Sequence, residues 1–297
     1  MPGYQQATIT TAPLNAINAT NQDLKRENNI KPIQILLTND DGIQSPGLFA
    51  AARALADIGY VQVVAPRDQS SGAGRSLPVT SDGKIQINQV QVNDQPWDVY
   101  AVGGTPAQAV LHAILEILPF KPNLIVSGVN YGENVGNGIT ISGTVGAALE
   151  GSSLGIPSLA VSLETDPKHH YSLSETVDFS AAAYFTAYFS RLMLSKKFPA
   201  DVDVLKIDIP CDATPATGWV VTRVSPNRYF EPLKPQRTSW DSPGIVGYRA
   251  NGDYSQEEAG TDVFALHIQR LVSVTPISLD MTSRVNLKDF ENLLRAA

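Results

Sequence analysis

The chain has 297 residues, 43% of them hydrophobic and 17% charged, enough apolar material for the core of one large α/β domain or two modest ones. A formal net charge of −7 argues against a surface for polymeric nucleic acid, and a single cysteine, Cys211, excludes an internal disulfide framework and any multi-cysteine metal site. No apolar run reaches the roughly 18–20 residues of a membrane helix, so a cytoplasmic protein with no membrane partner is expected.

Residues 1–30 are rich in Thr, Asn, Gln and Ala and lack both periodicity and the layout of a secretory signal, so they read as a flexible tail. Asn18-Ala19-Thr20 matches a glycosylation sequon, which has no meaning in a cytosolic protein. Residues 31–297 read as a single α/β domain.

From residue 33 strands and helices alternate. Ile33 to Leu37 reads as a strand, Gly47 to Ile58 as a helix and Tyr60 to Ala65 as a second strand. Asp98 to Val102 reads as another strand, Pro106 to Leu118 as a helix and Leu124 to Ser127 as a fourth strand. A helix around Gly143 to Leu154 leads into the strand Ser158 to Leu163. Such alternation builds right-handed βαβ crossovers and a mostly parallel, doubly wound αβα sandwich. A helix over Val177 to Ser195 and a strand over Val204 to Ile209 follow. The segment 220–260, rich in Pro, Gly and aromatic residues, reads as an excursion of hairpins and loops. Asp262 to His267 and Leu271 to Pro276 are expected as closing strands, and Leu287 to Ala296 as a terminal helix.

Strand one ends in Asn39-Asp40-Asp41-Gly42, which places two adjacent carboxylates at the carboxyl end of a strand, where open α/β sheets keep their ligand crevices. Two like charges this close call for a positive neighbour, and a divalent cation with hard oxygen ligands supplies one. A helix cap beside a solvated carboxylate is the other reading of these four residues alone. Further polar loops run from Ala65 to Gly74 and from Ser127 to Gly136, and a fourth, Ile141 to Gly146, opens a helix. In a parallel sheet these loops share one edge. Their convergence would gather Asp40, Asp41, the Ser71 hydroxyl and the Asn130 amide, an all-oxygen set suited to Mg²⁺, Mn²⁺ or Ca²⁺. Ser142, Gly143 and Thr144 would lie at a helix N-terminus, where free N–H groups favour an anion such as phosphate.

Leu36-Leu37-Thr38-Asn39-Asp40-Asp41-Gly42-Ile43, Val63-Val64-Ala65-Pro66, Ser71-Gly72, Gly104-Thr105-Pro106, Ser127-Gly128-Val129-Asn130 with Asn134, Ser142-Gly143-Thr144-Val145 and the late Ala259-Gly260-Thr261-Asp262 closely resemble the SurE family of stationary-phase survival nucleotidases. The resemblance covers about residues 33–290. It implies a Rossmann-like domain with a C-terminal excursion exchanged between subunits of a homodimer or homotetramer. It also implies divalent-metal-dependent hydrolysis of nucleoside 5′- and 3′-monophosphates by metal-activated water. Carried over, one Mg²⁺ or Mn²⁺ (or Ca²⁺) per subunit would be held by Asp40, Asp41, Ser71 and Asn130. Asn39, Asn134, Ser142, Gly143 and Thr144 would face phosphate or substrate, with the Ser142 and Thr144 hydroxyls and backbone N–H groups on the phosphoryl oxygens, and Asp40 or Asp41 would accept the water's proton. Segment 220–260 would be the oligomerisation arm and 261–297 the closing strands and helix.

Rival chemistries fit less well. An aspartyl-phosphate mechanism needs Asp-x-Asp after strand one, and a dinucleotide fingerprint needs a third glycine after Gly72 and Gly74. A catalytically weak nucleotide- or phosphate-binding protein is the remaining alternative.

Overall fold

The computed structural model describes residues 32–296, so the expected N-terminal tail and its sequon lie outside the described residues. Six parallel strands form the centre of the sheet: β1 (Gln34–Thr38), β2 (Tyr60–Pro66), β4 (Gln95–Val102), β5 (Leu124–Tyr131), β6 (Ser158–Leu163) and β7 (Val204–Ile209). They lie in the order β4-β2-β1-β5-β6-β7. The chain moves outward from β1 to one side and later returns to the other, so the order reverses between β1 and β5. A crevice opens at such a switch point, outside the carboxyl ends of the strands.

Burial on both faces explains why β1 is apolar throughout. Ile35 and Leu37 pack with Val61 and Val63 against α1 (Pro46–Leu55) and α4 (Ser180–Ser195). Leu36 points the other way, with Val64 and Ile125, toward α2 (Pro106–His112) and α3 (Gly143–Ser153). The helices therefore cover both faces, giving the expected αβα sandwich.

The structure adds an antiparallel edge that the expected elements lack. Strand β3 (Ile85–Val92) pairs with β4 in a hairpin turned at Asn93 and Asp94, both at positive φ, a conformation these residues tolerate in two-residue turns. At the opposite edge β11 (Val272–Ile277) runs antiparallel to β7, and β8 (Trp219–Val221) lies outside it. The expected strand Asp262–His267 is instead a short helical turn, Phe264–Ile268. The Asp262 and Thr261 side chains accept hydrogen bonds from the backbone N–H groups of Val263 and Phe264, and these caps favour a turn over an extended run. Helix α4 begins at Ser180, not Val177, because Asp178 accepts the Ser180 N–H just before it.

Within 220–260, β9 (Phe230–Leu233) and β10 (Gly247–Ala250) form a separate two-stranded hairpin. The helix α5 (Leu287–Arg295) ends the described chain.

Candidate functional site

Four loops meet at the β1–β5 switch point, and hydrogen bonds between them fix the meeting. Asp40 and Asp41 follow β1 and are 4% and 2% exposed, so both carboxylates are buried side by side. Their turn is closed by Asn39, whose amide donates to the Gly42 carbonyl at 3.0 Å and accepts the Gly42 N–H at 3.2 Å. Gly42 has φ +96°, a left-handed conformation that glycine adopts without strain.

The loop after β2 docks on this turn through the Ser70 N–H and the Asp40 carbonyl, at 2.7 Å. Its Gln69 amide nitrogen reaches Asp41 Oδ1 (3.3 Å), Ser71 Oγ (3.0 Å) and the His170 carbonyl (2.6 Å). From β5, the Tyr131 N–H donates to Asp41 Oδ2 at 3.1 Å. Asn130 spends its amide nitrogen on the Tyr131 and Gly132 carbonyls, at 3.3 and 2.7 Å, so the amide oxygen is the donor it could offer to a cation.

The start of α3 closes the site. Thr144 Oγ1 donates to Asp40 Oδ1 at 2.6 Å, and backbone N–H groups of Gly143 and Thr144 also favour the ionised Asp40. A Cβ on Gly143 would lie 2.7 Å from the Asp40 Cβ and 2.8 Å from Oδ2, so only glycine permits this approach. Ser142 Oγ accepts the Val145 N–H at 3.1 Å as the helix cap.

Burial raises the Asp40 pKa against the pull of these donors. It raises that of Asp41 further, with the Asp40 charge adding to the effect. Among the described residues no third His, Cys, Asp or Glu joins the pair in a metal-binding cluster. Two buried carboxylates with a neighbouring hydroxyl and a neutral amide oxygen fit a hard divalent cation, whose charge would offset the burial that raises both pKa values and the Asp40 charge that adds to the rise at Asp41.

The structure thus brings Asp40, Asp41, Ser71, Asn130 and the start of α3 together, and it gives three of the expected residues bonds within the chain. Asn39 bonds within its own turn. Thr144 turns its hydroxyl to Asp40, because the glycine beside it lets the carboxylate sit directly on the helix N-terminus. Ser142 caps α3, a role compatible with a substrate contact through its backbone. Tyr131 and Tyr229 are 3% and 4% exposed and packed internally: Tyr131 edge-on to Phe179, Tyr229 flat on His267.

Other polar groups around the site carry no sequence motif. Gln69 is one. Glu133, 4% exposed, accepts the Tyr229 hydroxyl at 2.5 Å and ties the loop after β5 to the 220–260 segment. Lys206, Asp208 and Asp262 form a fully buried ion cluster, in which the Lys206 ammonium bonds both carboxylates. The sequence held one signal for it: Lys206 and Asp208, two apart in an apolar strand, must share one face of the sheet. His170 is buried, with Nδ1 2.9 Å from the Tyr248 hydroxyl.

A doubly wound sheet with two buried carboxylates at its switch point defines the class of α/β protein. Its family is equally clear: the family model described as Survival protein SurE matches residues 35–231, and the chain belongs to the SurE family. It is 43% identical to a protein of Thermococcus gammatolerans named 5′-nucleotidase SurE, over 88% of this chain and 96% of that one. The 5′-nucleotidase SurE of Thermococcus kodakarensis is 42% identical, over 89% and 99% of the two chains. The crystal structure of the Aquifex aeolicus SurE protein superposes with a TM-score of 0.69 at 33% identity, covering 88% of this chain and 99% of that one.

Two outcomes follow from this geometry. Thr144→Val, which removes the hydroxyl from Asp40, is expected to weaken Mn²⁺ affinity by about tenfold or more, as loss of a group supporting a metal ligand commonly does; titration calorimetry reads it, and an unchanged affinity would return Thr144 to the substrate side. Burial lifts the Glu133 pKa from 4.5 to about 7. The folded state then binds the proton more tightly than the unfolded chain, so Glu133 makes stability fall as pH rises from about 4.5 toward 7. Glu133→Gln should flatten that fall, worth on the order of 3 kcal/mol at most, in urea titrations across the window.

Proposed function

We propose that the protein is a divalent-metal-dependent phosphomonoesterase that hydrolyses nucleoside 5′- and 3′-monophosphates to nucleoside and phosphate. The observation that carries this reading is the buried Asp40–Asp41 pair beside the N-terminus of α3, a cation site adjoining an anion site. The names of the relatives support the substrate class, since both Thermococcus proteins are called 5′-nucleotidases.

Asp40, Asp41, Ser71 and Asn130 would hold one Mg²⁺ or Mn²⁺ per subunit, and the ion would supply positive charge to the phosphoryl oxygens and acidify a bound water. The chain's own part is positioning and proton transfer. The backbone at Ser142, Gly143 and Thr144 and the Asn134 amide would receive the phosphate oxygens as charge shifts onto them. The Asp40–Asp41 pair would accept the proton of the attacking water. The Thr144 hydroxyl and the Tyr131 N–H keep the two carboxylates turned toward the crevice throughout.

Asp40→Asn should keep the fold and lose turnover by several orders of magnitude, because it removes one of the two charges on which cation binding depends. Phosphate release over a panel of nucleotides with Mn²⁺ measures it. Activity near the parent level would dismiss the metal assignment, and a parent protein inert on every nucleotide would favour a phosphate-binding role without turnover.

The working unit would be a homodimer or a pair of dimers joined through 220–260 and the C-terminal helix. Trp240, Ile245 and Val246 are 92%, 88% and 63% exposed, and no residue of α5 is buried although Leu287, Phe290, Leu293 and Leu294 lie on it. Apolar surface of this kind calls for a partner. Tyr229 is excluded from that surface, since it is buried in its own chain. Sedimentation at micromolar concentration should find no monomer; a fully active monomer would overturn the assembly. Among the described residues no helix is long and apolar enough to cross a membrane.

A further inference from the structure

One group of buried polar side chains has no part in the chemistry proposed above, yet it lies directly under the loop that leaves β5. In the sheet Asn130 on β5 stands beside Ser162 on β6, and Ser162 beside Asp208 on β7, so the three occupy one rung across neighbouring strands. The loop from Gly132 to Gly136 leaves β5 just beyond this rung and crosses over Ser162 and Asp208. Its Asn134 is held there twice: the backbone N–H donates to Asp208 Oδ1 at 2.7 Å, and the side-chain nitrogen donates to Ser162 Oγ at 2.8 Å. Ser162 and Asp208 are 1% and 0% exposed.

The frame continues beneath. Lys206 bonds the second oxygen of Asp208 and also Asp262 Oδ2, at 3.2 Å from the latter. Asp262 in turn accepts the Gly136 N–H at 3.2 Å and the Ser225 N–H at 2.8 Å. Both ends of Asn134–Gly136 are thus tied to one buried ion cluster, which also grips the base of the 220–260 segment. Burying three charges is a poor way to gain stability, since apolar residues of similar volume commonly do as well or better, and the better-attested use of such clusters is to fix one arrangement of the chain.

We propose that Ser162 and Asp208 are positioning residues for catalysis, which act through Asn134 by aiming its side-chain amide at the substrate phosphate. An amide nitrogen carries two hydrogens. With one committed to Ser162 and the backbone pinned by Asp208, the amide cannot flip, and the second hydrogen is left for a phosphoryl oxygen. Lys206 keeps Asp208 in place from below, so the cluster presets the loop before substrate arrives. The inference rests on the proposed contact of Asn134 with phosphate.

The test uses the full-length, Mn²⁺-loaded protein with inorganic phosphate as the probe, read by calorimetry, and Mn²⁺ affinity measured separately. Ser162→Ala should weaken phosphate binding by about fivefold to tenfold, the usual effect of losing one hydrogen bond, and leave Mn²⁺ affinity within twofold. Asn134→Ala should weaken phosphate binding at least as much. The Ser162→Ala/Asn134→Ala double variant should be no worse than Asn134→Ala alone, because Ser162 has no other route to the ligand. Asp208→Ala leaves Lys206 and Asp262 a charge-balanced pair and should weaken phosphate binding by tenfold or more, with Asp208→Asn, which keeps an acceptor for the Asn134 N–H, recovering most of it. If Asp208→Ala fails to fold, the Ser162–Asn134 cycle decides alone. Effects of Ser162→Ala and Asn134→Ala that multiply, a phosphate affinity unmoved by Ser162→Ala, or a loss of Mn²⁺ affinity in step with phosphate would each overturn the proposal. An Asn134→Ala variant with parent affinity would instead remove Asn134 from the proposed site, and this inference with it.

Discussion

Two carboxylates buried side by side at the end of β1 are the constraint around which the surrounding structure is arranged. Desolvation and mutual repulsion both oppose their charge, and each carboxylate is met by donors from a different element: Asp40 by Thr144 at the start of α3, Asp41 by the Tyr131 N–H of β5 and the Gln69 amide of the loop after β2. Those donors reduce the cost of burying the charges without cancelling it, since both pKa values remain raised. A site in that condition is poised for a small, highly charged cation. The switch in strand order is what lets loops from β1, β2, β5 and α3 reach one point at all.

Shape enforces the same arrangement. Gly143 has its place because any side chain there would enter the Asp40 carboxylate, and Gly42 because the turn after the pair needs a positive φ. The helix N-terminus is often regarded as an anion site for ligand alone. In this protein part of it is already spent on Asp40. A phosphate bound there would share one set of N–H groups with the carboxylate, which would bring it close to a cation held by Asp40 and Asp41.

Much of this was legible in the sequence. Apolar strands ending in Asn39-Asp40-Asp41-Gly42 and Ser127-Gly128-Val129-Asn130 located the crevice, because strand ends in a parallel sheet share an edge. The parallel core and its helices followed from period alone. The antiparallel edge was less accessible: Ile85–Val92 alternates with Gln and Asn and pairs through Asn93 and Asp94, a turn without the glycine that usually announces a hairpin. Asp262–His267 misled because an apolar run does not reveal whether a cap will turn it. Side-chain direction was out of reach altogether: that Asn39 closes its own turn and Thr144 Oγ1 bonds Asp40 is seen only in the fold.

The buried cluster of Lys206, Asp208 and Asp262 shows why direction matters more than membership. In sequence, Lys206 and Asp208 sit in an otherwise apolar strand and Asp262 lies 54 residues beyond Asp208; nothing local joins them. In the fold they converge because β7 is the last strand of the parallel core, beneath the loop that leaves β5 and beside the segment that leads to the hairpin of β9 and β10. Glu133 and Asn134, adjacent in that loop, face opposite duties: Glu133 reaches the Tyr229 hydroxyl in the excursion, while Asn134 is drawn to Ser162 and Asp208 in the core. The loop therefore joins the sheet that carries the carboxylates to the excursion with its exposed apolar side chains. Any shift of the excursion against the sheet must strain either the Glu133–Tyr229 bond or the ion cluster. A loop gripped from both sides in this way can hold its position only when core and excursion agree, which couples the geometry of the site to the placement of the excursion.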